Sequence, residues 1–167
     1  MPLVAITKGM FAEIDECDLP AVSRLKWQSQ VGPYTTYAVH SFWDGKFHKL
    51  MLHHFILPLP EPGMMVDHRD GNGLNNKRSN LRVATRAQNS QNIHRFNGAS
   101  KYRGVGAGRK PGTFQARIKV NGKRMQIGTF RTELEAAIAY DEMAIRLHGE
   151  FGRTNQQQFP EDFPARG

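Results

Sequence analysis

Residues 114–120, FQARIKV, alternate apolar and polar side chains without a break, and no other stretch restricts the fold as strongly. At a period of two, Phe114, Ala116, Ile118 and Val120 share one face, while Gln115, Arg117 and Lys119 share the other. Such a strand needs a cover for its apolar face and neighbours for its backbone. KYRGVGAGRK before it and KRMQIGTF after it also read as strands, with KPGT and NGK as turns, so a three-stranded antiparallel sheet is predicted. The period then changes. In TELEAAIAYDEMAIRLHGE, Thr132 and Glu135 have capping-box spacing and Gly149 is a natural stop. Leu134, Ala137, Ala144 and Leu147 supply the apolar stripe of a helix whose alanines suit close packing on the sheet. The other face of the sheet is left open.

That open face is basic. Residues 98–131 hold nine Lys or Arg and no Asp or Glu, whereas residues 1–97 hold 11 basic and 8 acidic side chains. Such local self-repulsion points to a polyanionic partner. The single cysteine, Cys17, excludes an internal disulfide framework and a four-Cys zinc site. No apolar run has the length of a membrane span and the N-terminus lacks a signal-peptide pattern, so a cytoplasmic protein with no membrane partner is expected. At 167 residues, one medium domain or two small ones fit.

Upstream, LVAIT and MFAEID read as short strands around a KG turn, and LPAVSRLKW as a short helix with an early proline. TTYAVHSF and FHKLMLHHFIL flank WDGK, whose Asp-Gly suits a hairpin. MMVDH and NLRVAT are two further strands. Thr85 with Gln88 has capping-box form, so a helix is expected from about Arg86 through AQNSQNI. Asp67 and His68 then end one strand, Asn80 lies in the loop between strands, and Asn89 stands in the early turns of the helix.

This set matches the needs of phosphodiester cleavage, in which a water loses a proton and charge builds on phosphate and leaving oxygen. Asp67 and Asn89 offer oxygen ligands of the kind magnesium prefers. His68, on the opposite strand face from Asp67, can act as general base. Asn80 can hold the His68 ring or its loop through its amide. Structural zinc is disfavoured, because no Cys pair or His-x-x-x-His spacing accompanies His40, His48, His53, His54 and His68; His40 and His48 read as ordinary strand residues.

DHRDGNGLNNKRSNLRVATRAQN resembles the core of the HNH homing endonucleases, which runs Asp-His, Ser/Thr-Asn-Leu-Arg, then a helical Asn. LHHFIL, residues 52–57, resembles the His-containing segment before that core. The resemblance implies a ββα-metal unit with Asp67 and Asn89 as ligands of Mg2+ or Mn2+, His68 as general base and Asn80 as its orienter. It implies a supporting or phosphate-contacting role for His53, while His54 stands where an Arg is usual.

Residues 101–155 resemble the plant ethylene-response-factor (Apetala-type) DNA-binding domain. The pieces that carry the likeness are Tyr102-Arg103-Gly104-Val105, Gly128-Thr129-Phe130 and Ala139-Tyr140-Asp141. That match implies sheet-face contacts to DNA from Arg103, Arg117, Lys119, Arg124 and Gln126. Arg109, Lys110 and Lys123, nearer the turns, are expected on phosphates. Gly106 and Gly108 replace the family's usual arginines and Gln126 its tryptophan, so no target sequence carries over.

The expected fold class is α+β. An HNH endonuclease domain spans 1–97, strand-rich over 1–48 with the catalytic ββα unit at 49–95. An ethylene-response-factor-type DNA-binding domain spans 98–155 and a flexible tail 156–167. The expected function is metal-dependent, homing-type nicking of double-stranded DNA in a bacterial or phage-infected host cell. The oligomeric state is open, with a monomer favoured. The competing reading is a DNA-binding regulator whose HNH unit is degenerate. An RNA-directed nuclease is disfavoured, because the basic sheet lacks an aromatic stacking platform.

Overall fold

The computed structural model of the chain describes residues 2–92 and 100–164. It is an α+β protein, and it divides into two compact units, Met1–Ser90 and Gln91–Gly167. The expected boundary stretch, residues 95–100, lies almost entirely outside the described residues, as does Ile93 at the end of the expected helix.

The first unit contains three small antiparallel sheets. β1 (Leu3–Ala5) pairs with β2 (Phe11–Glu13) across a tight turn in which Lys8 and Gly9 both take positive φ. α1 (Leu19–Val22) is one turn with proline in its first positions. β3 (Gln28–Val31), β4 (Thr36–Trp43) and β5 (Phe47–Met51) form a meander. Gly45, at φ +102, makes the Asp-Gly turn between β4 and β5. β3 was not expected, because QSQV has no apolar alternation to announce it.

The run FHKLMLHHFIL does not remain a strand. Pairing with β4 ends at Val39↔Met51, and the chain coils into α2 (Leu52–Ile56), burying Leu52, His53 and Ile56. β6 (Met64–His68) and β7 (Leu81–Thr85) then pair antiparallel and lead into α3 (Arg86–Asn92). The α3 N-terminus is capped reciprocally. Gln88 N–H donates to Thr85 Oγ1 at 3.2 Å, and Thr85 N–H donates to Gln88 Oε1 at 2.8 Å. Ile14, Val22, Trp27, Leu52, Ile56, Val66 and Leu81 make the core beneath these elements. Each large aliphatic side chain fully buried there contributes about 1.5–3 kcal/mol.

The second unit is the predicted sheet and helix. β8 (Val105–Ala107), β9 (Phe114–Val120) and β10 (Lys123–Phe130) lie in the order β10-β9-β8, and α4 (Glu133–His148) covers one face. β8 is shorter than KYRGVGAGRK suggested. Residues before Val105 turn instead, because Gly104 at φ +76 brings the backbone against Tyr140. A Cβ at Gly104 would lie 2.1 Å from the Tyr140 ring, so the glycine of Tyr-Arg-Gly-Val is a packing requirement.

The α4 stripe is also shifted from expectation. Ala136, Ala137, Tyr140 and Ala144 are buried, whereas Leu147 is 40% exposed and Leu134 only half-buried. A sheet this close takes alanine where leucine would not fit. The stretch from 156 onward, expected to be a flexible tail, is structured as far as it is described. α5 (Asn155–Gln158) is capped by Thr154, and Phe159 and Phe163 set their rings edge-on to Tyr102. Lys101 and Asp162 close the contact at 2.7 Å.

Candidate active site and nucleic-acid interface

The asparagine-rich loop between β6 and β7 is a built object. Asp70 Oδ1 accepts from the Asn72 backbone N–H at 2.8 Å and from Asn80 Nδ2 at 2.9 Å, while Asp70 Oδ2 accepts from Asn75 Nδ2 at 2.7 Å. Asn80 Oδ1 accepts from the Asp70 N–H at 3.1 Å, and Asn80 Nδ2 also donates to the Asn75 carbonyl at 2.7 Å. Short amide and carboxylate side chains satisfy the backbone of a turn in this way, which accounts for the run of asparagines.

The loop is fastened to the rest of the unit. Asn76 N–H donates to the Glu13 carbonyl at 2.8 Å, and Arg78 grips the Asp18 carboxylate at 3.0 and 2.6 Å. Gly73 lies against Tyr37 so closely that a Cβ would come within 2.6 Å of the ring.

His68, at the end of β6, is buried. Its Nε2 lies 3.3 Å from Oδ1 of Asn76, a fully buried residue whose own Nδ2 donates to the Gly73 carbonyl at 3.4 Å. An amide oxygen only accepts, so the neutral ring carries its proton on Nε2 and its lone pair on Nδ1. Burial lowers the His68 pKa below its ordinary value, against the opposing pull of the Asn76 hydrogen bond and the charges of Asp70 and Asp67. Asn80, read as holding either this ring or its loop, holds the loop, whereas the resemblance implied the ring. Asn76 meets the ring at Nε2, while Asn80's amide is engaged by Asp70 and Asn75.

His53, on α2, sets its ring edge-on to His68 with centroids 5.0 Å apart, and Tyr37 lies 5.6 Å from His53 and 6.0 Å from His68. Burial, followed by the neighbouring His68 and His54, pushes the His53 pKa down to about 3. His53 is therefore neutral at pH 7, and its Nδ1 is buried without a hydrogen-bond partner among the described residues. The His54 pKa is also lowered by burial.

Asp67 faces Arg82 across the β6–β7 ladder, and Arg82 Nε and Nη2 both donate to Asp67 Oδ2, at 2.8 and 2.7 Å. Both side chains are almost wholly buried, at 5% and 6% exposure. Asn89, half-buried on α3, places its Nδ2 3.7 Å from Met65 Sδ. Met65 and Asp67 share one face of β6 by strand alternation, so Asn89 meets the strand on the side that carries Asp67.

No three of His, Cys, Asp or Glu converge as metal ligands among the described residues. Asp67 and Asn89 are two hard oxygen donors, and their chemistry fits Mg2+ or Mn2+, ions that retain several waters, better than zinc.

In the second unit, strand register assembles the basic face. Arg124 lies opposite Lys119 and Gln126 opposite Arg117, all four exposed on the side away from α4. Arg117 Nη2 also donates to Gln115 Oε1 on its own strand. A like-charge cross-strand pair such as Lys119 and Arg124 costs stability until an anion neutralises it. Arg109 and Lys110 occupy the exposed turn between β8 and β9, and exposed Lys123 opens β10 on the side that α4 covers.

Arg103 departs from the expected sheet-face position. It precedes β8, is half-buried, and its side chain reaches Tyr140 on α4, because the Gly104 turn directs it there. Its backbone is clamped by Asn155, which accepts from the Arg103 N–H at 2.6 Å and donates to its carbonyl at 3.1 Å. Asn155 is held in turn by Asp141 at 2.9 Å. The Asp of Ala-Tyr-Asp is thus a structural brace.

The HNH endonuclease family profile matches residues 46–91. An HNH endonuclease of Acanthamoeba polyphaga mimivirus, described as uncharacterized, is 35% identical over 157 residues, spanning 91% of this chain and 78% of the relative. The chain belongs to the HNH endonuclease family. An AP2-like ethylene-responsive transcription factor of Oryza sativa is 50% identical over 60 residues, 35% of this chain but 9% of that protein. One from Arabidopsis thaliana is 52% identical over 60 residues, 35% of this chain and 11% of that protein. The chain thus spans only a small part of these plant relatives.

Within the HNH unit, three site residues had been given no role from sequence. Arg82 was visible in Ser-Asn-Leu-Arg, and strand pairing opposite Asp67 would have suggested it. Asn76 and Tyr37 carry no signal, since their roles arise only when the loop folds back on β4.

Proposed function

We propose that this HNH endonuclease hydrolyses phosphodiester bonds of double-stranded DNA with a divalent ion, nicking one strand per active site, and that it is of the homing type. The single observation that supports the reading most strongly is the buried His68 ring, held by Asn76 in the tautomer that leaves Nδ1 basic, one residue from Asp67. Asp67 and Asn89 would hold the ion, most simply Mg2+ or Mn2+, with Arg82 sharing the Asp67 carboxylate. When bound, the ion neutralises charge on the phosphate and on the leaving oxygen.

The chain's own groups do the rest. His68 Nδ1 takes the proton of the attacking water. Asn76 keeps the ring from flipping, and the lowered His68 pKa keeps the base deprotonated at neutral pH. His53 packs the ring edge-on and excludes water behind it. Asn80 acts at one remove, by holding the loop that carries Asn76.

The second unit supplies binding in this reading, as an ethylene-response-factor-type module at about residues 98–155. Arg117, Lys119, Arg124 and Gln126 face the groove, while Arg109, Lys110 and Lys123 sit on phosphates. The paired like charges of the sheet support it. One Asp-His constellation per chain supports nicking by a monomer. No described helix is long and apolar enough to cross a membrane.

The test is incubation with supercoiled plasmid and Mg2+ or Mn2+ between pH 7 and 9. Conversion to the open circle is expected, abolished by chelator and by His68→Ala, with DNA binding retained in the variant. Binding without nicking under every condition would favour a degenerate, regulatory protein.

A further inference from the structure

Two large aromatic side chains stand exposed at the end of the β4–β5 hairpin, with the Lys49 ammonium 6.0 Å from the centre of the Phe47 ring. Trp43 and Phe47 are cross-strand partners, exposed at 73% and 60%. By alternation, Tyr37, Val39, Ser41 and Trp43 share one face of β4, and Lys49, opposite Ser41, lies on the same side. Lys49 is steadied by Gln30, to whose Oε1 it donates at 3.1 Å. The inner end of this face is Tyr37, whose ring touches both His53 and His68. One continuous sheet face therefore leads from the histidine pair to the exposed tip. Six strand steps separate Tyr37 from Trp43, about 20 Å.

We propose that this tip is a second DNA contact: Trp43 and Phe47 press their rings against bases flanking the cut, and Lys49 meets a backbone phosphate. This inference rests on the reading of the chain as a DNA nuclease and adds to it a surface in the HNH unit itself. The occupant is chosen by chemistry. The outer face is a narrow mix of two rings, a serine and a lysine, which suits a nucleic-acid strand rather than a broad apolar partner. Lys46 and Lys49 flank the rings, and the acid of the turn, Asp44, is already engaged by His48 at 2.8 Å. At 3.4 Å per nucleotide step, 20 Å places the tip about six base pairs from the scissile phosphate.

Intrinsic fluorescence tests this directly, because the other tryptophan of the 167 residues, Trp27, is buried and bonded to the Val22 carbonyl at 2.9 Å. Intrinsic fluorescence should be quenched when duplex DNA is added, and the quench should vanish in Trp43→Phe. The double variant Trp43→Ala/Phe47→Ala should bind duplex about tenfold or more weakly. It should also lose protection about six base pairs from the mapped nick. Lys49→Gln should reduce the salt slope of binding by about one. Unchanged affinity and protection in the double variant would overturn the proposal. So would a dimer that the double variant converts to monomer while DNA affinity persists. Loss of nicking in the wild type would sink the enzymatic reading alone, since the fluorescence and binding arms need no cleavage.

Discussion

Replacing Arg82 by Leu should be the most damaging single change in the HNH unit that touches no base or phosphate. Arg82 donates twice, at 2.8 and 2.7 Å, to one oxygen of Asp67, and the two side chains are 6% and 5% exposed. An exposed ion pair contributes about 0–1 kcal/mol. Here, removing the guanidinium leaves a buried carboxylate without its counter-charge, and such losses run to about 3–5 kcal/mol. For a unit of this size, each kcal/mol moves the midpoint by about 4–8 °C, so a fall of about 12–40 °C is expected. Urea and thermal unfolding of Arg82→Leu, Asp67→Asn and the double variant would measure it. Because Asp67→Asn removes the stranded charge, the double variant should recover much of the loss. A cost under about 1 kcal/mol, or simple additivity of the two changes, would refute the claim that this pair organises the site.

Asn76→Leu should release the His68 ring, seen as loss of the Nε2–H tautomer in nitrogen NMR, and should slow nicking by about a hundredfold with little change in KM; an unchanged tautomer would remove Asn76 from the mechanism. DNA affinity should fall linearly on a log–log salt plot with slope about −4, if the four cations Arg109, Lys110, Lys123 and Lys49 meet phosphate; a slope near zero would deny these cations their phosphates. Acid should destabilise the HNH unit. His53 and His68 are held below the ordinary His value, so the unfolded chain binds more protons, and stability present above pH 6.5 is lost as pH falls toward about 3. His53→Phe should flatten that loss between pH 7 and 5, and an unaltered profile would contradict the placement of His53.

Much of this was legible in the chain because its signals are local. The β9 alternation, the capping boxes at Thr85 and Thr132 and the stop at Gly149 each involve residues a few positions apart, and each occurs as read. What was not legible depends on residues meeting across the fold. That Asn76 meets the ring while Asn80 takes the loop depends on Asp70 and Asn75 engaging the Asn80 amide. Arg103 leaves the open sheet face because Gly104 turns the backbone toward Tyr140. The last residues described are anchored by Phe159 and Phe163 against Tyr102, a contact that no periodicity could reveal. In the HNH unit, Asp67, His68 and Asn89 were found as residue types at a spacing, but the Arg82 counter-charge came only with strand register.

The most direct test of the central claim is manganese binding to the protein–DNA complex, followed by the loss of the free-ion signal in electron paramagnetic resonance. Wild-type protein should take up the ion, and Asp67→Ala and Asn89→Ala should each weaken uptake markedly while His68→Ala does not. Equal uptake by all four proteins would contradict the assignment of the ion to Asp67 and Asn89.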